Sequence, residues 1–108
     1  MKFLVMIEGV PGGPPMTLEQ NLQMSKATYD WQRRMINSGR YEVTYLMADQ
    51  AGGTMGGFGI GNYDSAEQMA EDLATFPASA TSNYKVCPLV SPDIMKKFIS
   101  NMEAILKK

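Results

Sequence analysis

Apart from one thiol, the ionisable side chains of this chain are five tyrosines, ten lysines and arginines, and eleven aspartates and glutamates; histidine is absent. Its absence removes the commonest general base, the commonest metal ligand and the usual proximal ligand of haem. Chemistry is left to carboxylates, phenols and amines, so neither a metal nor another cofactor is expected. Glu8 closes the first apolar run just ahead of a Pro/Gly segment. There a carboxylate is a candidate general base, or simply a solvated strand end. Tyr41 and Tyr45 recur at even spacing in a strand-like run. That places both phenols on one face, as oxyanion donors or as ordinary core. Cys87 has no histidine to activate it and reads as a small buried hydrophobe; a lone cysteine also fits a reducing cytoplasm.

Residues 52–61, GGTMGGFGIG, raise the question of a phosphate loop. No G-x-G-x-x-G can be drawn, because Asn62 stands where the last glycine belongs, and no Gly-Lys-Ser/Thr occurs. The cluster instead has a period of two. Gly57, Gly59 and Gly61 fall on one face of a strand while Phe58 and Ile60 fall on the other. A bare face marks close approach of either another part of the protein or a ligand.

The elements that would position these residues follow from pattern and punctuation. Lys2 to Glu8 is a strand that is apolar on both faces, ended by Gly9 and VPGGPP. Thr17 with Gln20 forms a capping box, opening a helix that runs to Ser38 with Gly39 as its left-handed stop. Tyr41 to Ala48 is a second strand, residues 49–53 a hairpin turn, and Thr54 to Asn62 a third strand. Ser65 with Gln68, or Asp64 with Glu67, caps a helix whose Ala66, Met69, Ala70, Leu73 and Phe76 share one face, ended by Pro77. Asn83 to Val90 is a fourth strand, with Pro88 favouring a sheet edge. Ser91 as N-cap and Pro92 at the first helical position open a last helix with an apolar stripe from Ile94 to Leu106. The order β-α-β-β-α-β-α is ferredoxin-like, a four-stranded antiparallel sheet with one extra C-terminal helix. At 108 residues the chain has room for one domain, 1–108.

On a helical wheel, Leu18, Leu22, Tyr29 and Ile36 of the first helix form one apolar arc, and Met24, Ala27, Trp31 and Met35 another. Asn21, Ser25, Thr28 and Gln32 lie between them as an uncharged polar ridge. Either the ridge lines a small pocket against the glycine face with Gly57 and Gly59, or it is a wet seam between the sheet and a neighbouring subunit. Both faces of the first strand want burial and helices cover only one, which predicts sheet-to-sheet pairing in a homodimer or higher oligomer. A net charge of −1 gives no footprint for nucleic acid or an anionic membrane. No apolar run reaches the roughly 20 residues of a membrane span, and the N-terminus reads as a strand and not as a signal peptide. A soluble, cytoplasmic protein is expected.

Trp31 through Pro88, with Gly39-Arg-Tyr41, the glycine hairpin into Phe58, Asp64-Ser-Ala-Glu67, Phe76-Pro77 and Val86-Cys-Pro-Leu89, resembles the muconolactone isomerase-like members of the dimeric α+β-barrel superfamily. The resemblance implies a ferredoxin-like protomer, sheet-to-sheet dimers, and often cofactor-free isomerisation, cyclisation or oxidation of small oxygenated ring compounds. It departs from muconolactone isomerases at Leu4 and Met6 and at Val43, Thr44 and Leu46, where those enzymes carry polar or basic residues. The expected function is a cofactor-independent, isomerase-like protein moving a proton next to a carbonyl. A non-catalytic ligand-binding or assembly domain and a cofactor-free monooxygenase are the alternatives.

Overall fold

The computed structural model describes residues 1–9, 15–48 and 54–107. Its elements are β1 (Lys2–Gly9), α1 (Leu18–Asn37), β2 (Tyr41–Ala48), β3 (Thr54–Asn62), α2 (Ala66–Ala74), β4 (Ser82–Leu89) and α3 (Ile94–Leu106), with a 3-10 turn at Ser79–Thr81. All ladders are antiparallel and the strand order is β2-β3-β1-β4. The fold is the expected ferredoxin-like α+β arrangement, with β4 and its Pro88 on an edge. The hairpin turn expected at 49–53 and most of the Pro/Gly segment lie outside the described residues.

Local chemistry accounts for the boundaries. Thr17 Oγ1 accepts the Gln20 N–H at 3.1 Å while Gln20 Oε1 accepts the Thr17 N–H at 2.9 Å, closing the capping box. Gly39 at φ +78° stops α1. Ser65 Oγ accepts the Gln68 N–H and starts α2. The last helix begins later than Pro92. Ser91 Oγ accepts the Asp93 N–H and its carbonyl accepts the Ile94 N–H, so Pro92 and Asp93 form a turn ahead of α3.

The core lies between the sheet and helices α1 and α2. Val5, Trp31, Tyr41, Tyr63 and Met69 are buried there, with Phe3, Ile7, Met35, Ile36, Leu73 and Phe76 packed around them. Phe3, Val5 and Ile7 of β1 pair with Gly61, Gly59 and Gly57 of β3, so the bare glycine face is the helix-facing one.

Strand β2 departs from simple alternation. Tyr41 pairs with Gly61 but Val43 pairs with Ile60, leaving Glu42 as an extra residue. A bulge of this kind shifts the period-two phase, and every side chain beyond it changes face. Tyr41 therefore shares the inner face with Thr44 and Leu46. Tyr45 joins Val43 and Met47 on the outer face, where its ring meets Phe58 at 5.4 Å. The shared face expected for Tyr41 and Tyr45 is thus corrected: they lie on opposite sides of the sheet.

Two of the glycines are emptied for aromatic rings. A Cβ on Gly59 would stand 2.9 Å from Tyr41 Cδ1, and one on Gly61 would stand 2.8 Å from Tyr63 Cε2 and 3.0 Å from Tyr41 Cε1. These rings are 3% and 1% exposed, so they have nowhere to move.

The outer face carries Leu4, Met6, Val43, Tyr45, Phe58 and Ile60 in cross-strand register. Tyr45 is 57% exposed. Helix α3 is exposed along its whole described length, its Phe98, Ile99, Met102 and Ile105 included, and packs extensively on no other described element. The radius of gyration is correspondingly 18.2 Å, against about 13 Å for a compact chain of this size.

Overpacking a tight core site costs about 1–3 kcal/mol, so Gly61→Ala is expected to lower the melting temperature by about 4 °C or more. Gly9→Ala, where an added Cβ meets nothing within 4 Å, is the control and should leave it unchanged. Equal melting temperatures for the two variants would contradict the seating of the tyrosine rings on β3.

Candidate functional site

A cavity of about 420 Å³ lies between α1 and the sheet. Helix α1 contributes Asn21, Ser25, Thr28 and Gln32, one stripe at spacings of four, three and four residues, flanked by Met24, Tyr29 and Trp31. The sheet contributes Val5, Ile7, Thr44, Leu46, Gly57 and Gly59, and one end is closed by Phe76, Ala78 and Ser82. The structure thus brings the whole polar ridge to one cavity together with both glycines. Both apolar arcs of α1 reach the core towards its C-terminal end, through Trp31 and Met35 on one and Ile36 on the other, whereas Leu18, Leu22 and Tyr29 stay exposed.

The three residues singled out for chemistry are not brought together. Glu8 alternates with Val5 and Ile7, pairs with Gly56 and Asn83, and is exposed on the outer face. Tyr45 is on that face too, because of the bulge. Tyr41 does line the cavity, but with its ring. Its Cδ1 edge lies over Gly59 and its Cε1 and Cζ over Gly61, which carries the hydroxyl away to Tyr63. Tyr63 donates to the Tyr41 oxygen at 3.0 Å. The tyrosine hydroxyl is therefore engaged in a buried pair beyond the cavity floor.

That floor is an aromatic cluster anchored by polar contacts. Trp31 meets the Phe76 ring edge-on at 5.1 Å and the Tyr41 ring at 5.9 Å. Its indole N–H donates to Thr75 Oγ1 at 2.9 Å, tying α1 to the end of α2. The Arg40 guanidinium lies 5.2 Å from the centre of the Tyr63 ring, and its Nε is 2.9 Å from Asp72 Oδ2. That carboxylate oxygen is buried and has no well-aligned donor, so the contact is one of charge more than of a directed hydrogen bond. Sequence reasoning missed Tyr63. Its signal was there, since Gly57, Gly59, Gly61 and residue 63 continue a single alternation. Thr44 and Leu46 were hidden by the unforeseen bulge.

Among the described lining residues none is a carboxylate, ammonium, guanidinium or thiol; Tyr29 and Tyr41 are the titratable ones. Nor does any group of three aspartate, glutamate or cysteine side chains among the described residues cluster as metal ligands. No described helix is long and apolar enough to cross a membrane. What the arrangement can do is hold a largely flat apolar molecule on aromatic and backbone surfaces while hydroxyls and amides bond its oxygens.

Solved structures share this architecture. One is 5-chloro-2-hydroxyhydroquinone dehydrochlorinase (TftG) from Burkholderia phenoliruptrix AC1100, in complex with 2,5-dihydroxybenzoquinone. It is 15% identical, covers 86% of this chain and 97% of its own, and superposes with a TM-score of 0.66. Another is muconolactone isomerase, 17% identical over 85% of this chain and 92% of its own, with a TM-score of 0.70. The chain shares the fold of these two proteins, in keeping with the fold implied by the resemblance read from its sequence. No protein-family model and no curated protein sequence matches it.

Burial raises the pKa of Tyr41, with the Tyr63 hydrogen bond acting in the opposite sense. Burial also raises that of Tyr63, well above the usual tyrosine range, reinforced by its donation to Tyr41 and by the Asp72 charge. A raised pKa in the folded state means that the fold keeps these phenolic protons after the unfolded chain has begun to lose them, at about pH 10. Their contribution to stability is therefore complete below that pH and declines as pH rises beyond it. In an alkaline titration, part of the tyrosinate absorbance should emerge only as the helical circular dichroism collapses. If all five tyrosines titrate while the fold persists, the buried pair is wrongly described.

Proposed function

We propose that this chain is a cofactor-independent, isomerase-like protein that takes a small, neutral, oxygenated ring or carbonyl compound into the cavity between α1 and β3. The observation that carries this reading is the uncharged ladder of Asn21, Ser25, Thr28 and Gln32 facing aromatic and backbone walls. A carboxylate-bearing ligand would lose its hydration there with no cation among the described lining residues to replace it, whereas carbonyl and hydroxyl oxygens find donors. The dehydrochlorinase of the same fold is seen with a dihydroxybenzoquinone, a compound of this chemical kind.

With Glu8 and Tyr45 on the opposite face, the groups that would hold a developing oxyanion are the Ser25, Thr28 and Thr44 hydroxyls and the Asn21 and Gln32 amides. A second reading is a cofactor-free monooxygenase with dioxygen as co-substrate. It is favoured by a cavity that holds one tryptophan and the ring of Tyr41 with no acid among the described lining residues. Binding without turnover is the third. We also propose a cytoplasmic homodimer in which the apolar outer sheet face and α3 are covered by the second copy; the exposure of α3 and of Tyr45 in one chain supports this.

Trp31 is the sole tryptophan and lines the cavity, so its fluorescence reports binding. Hydroquinone is expected to quench it. Thr28→Val should weaken that binding about tenfold, roughly 1.4 kcal/mol, and Tyr45→Phe on the outer face should leave it unchanged. Equal affinities for wild type and Thr28→Val would remove the ridge from the site. Oxygen uptake with a bound dihydroxyarene would select the monooxygenase reading over the isomerase one. Light scattering should give twice the chain mass, and truncation after Leu89 should lower it; a monomeric full-length chain at micromolar concentration would refute the dimer.

A further inference from the structure

We infer that the cavity takes its ligand ring first, and that the ligand is a hydroxyarene or quinone carrying an apolar substituent that runs outward over Ile7, Leu46 and Met16. The inference rests on the small-molecule reading above and specifies its substrate class. Burial falls off in one direction along the elements that wall the cavity. Strand β1 passes from buried Val5 through Ile7 to exposed Gly9, and β2 from buried Tyr41 through Thr44 to exposed Leu46. Helix α1 does the same from Trp31 through Thr28 to Ser25, and β3 from Gly59 to half-buried Gly57. Register sets these levels side by side. Val5, Gly59 and Thr44 lie in one rank across the sheet, and Ile7, Gly57 and Leu46 in the next, two residues or about 7 Å nearer the open end.

The two ranks differ in chemistry. At the closed end Thr44 on the sheet and Thr28 and Gln32 on α1 are half-buried, beside the Trp31 and Tyr41 rings. An oxygenated ring seated there exchanges its water for hydroxyl and amide partners. Toward the open end the sheet presents Ile7 and Leu46, joined by Met16 and Met24, and Leu46 and Met16 stay exposed. Asn21 and Ser25 are exposed there too, and water serves them equally well whether the site is filled or empty. The exposed apolar side chains gain only when apolar surface covers them. They line the same cavity as the closed end, so the group that covers them is the outer part of the molecule held inside.

The test measures dissociation constants by Trp31 quenching on the full chain. Its probes are hydroquinone, propylhydroquinone, pentylhydroquinone, and a hydroquinone whose side chain is an ether-alcohol of the pentyl length. Affinity is expected to rise about threefold per added methylene, and the ether-alcohol to give no such gain. Leu46→Ser should flatten the rise with chain length, whereas Gln32→Leu should weaken the three apolar probes several-fold alike and leave the rise intact. Pentylhydroquinone binding no tighter than hydroquinone, or than the ether-alcohol, would overturn the substituent while leaving the small-molecule reading intact, and would assign the Leu46 and Met16 surface to a second copy. An unaltered rise in Leu46→Ser would overturn it too. If Gln32→Leu weakened hydroquinone but not pentylhydroquinone, the chain and not the ring would lie at the closed end, against the inference. Failure of all four probes to bind would overturn both.

Discussion

The Tyr41 ring lying across Gly59 and Gly61 is the contact on which the rest of the structure depends. The ring points inward opposite Gly61, where β3 has no side chain, and the extra residue at Glu42 then sets the phase of β2 beyond it. Once seated, Tyr41 supports Trp31, and Trp31 fixes α1 against the sheet and, through Thr75, against the end of α2. The glycine stripe is thereby divided in use. Its Gly61 end is filled by Tyr41 and Tyr63, while at Gly57 the nearest side chain is that of Leu46, its Cδ2 3.7 Å from where a Cβ would stand, and both residues line the cavity. Core and candidate site are two halves of one emptied strand face, and the aromatic cluster that closes the core is also the floor of the pocket.

Charge is distributed to suit. The ion pairs lie outside the cavity: Lys2 with the bulged Glu42 on the outer side, and Arg40 with Asp72 behind the tyrosine pair. Contact with Lys2 lowers the Glu42 pKa, and the exposed position keeps that effect local. Inside, the described polar groups are amides and hydroxyls that bond without carrying charge. Of the ridge residues, Asn21 and Ser25 are exposed and Thr28 and Gln32 half-buried.

The second sheet face and α3 have the opposite character. Tyr45 on that face and Phe98, Ile99, Met102 and Ile105 of α3 are exposed, while Leu4, Met6, Val43, Phe58 and Ile60 are half-buried. An apolar stripe on a helix stabilises the folded state only when something lies against it. The α3 stripe and the outer side of β1 are thus apolar surface that the described residues leave at least partly open.

Element order, the capping box of α1, the Ser65 cap of α2 and the left-handed stop at Gly39 were legible in the residues, and the polar ridge of α1 was legible as a ridge with its partner left open. They depend on contacts within a few positions or on one helical period, and such contacts are local. The phase of β2 was not legible, because a bulge is decided by what lies across the sheet; unbroken alternation through YEVTYLMA put Tyr45 on the wrong face. The places of Glu8 and of the Tyr41 hydroxyl, both away from the cavity, were not legible for related reasons. The Glu8 side follows from the phase of β1, readable beside Val5 and Ile7, but which side faces the helices is settled only by packing. The Tyr41 hydroxyl is claimed by Tyr63, whose approach requires that Gly61 be bare. Sequence alone determined which surfaces were apolar, polar or empty. Tertiary structure decided which of them met, because burial, register and the pairing of buried hydroxyls are properties of residues far apart in the chain.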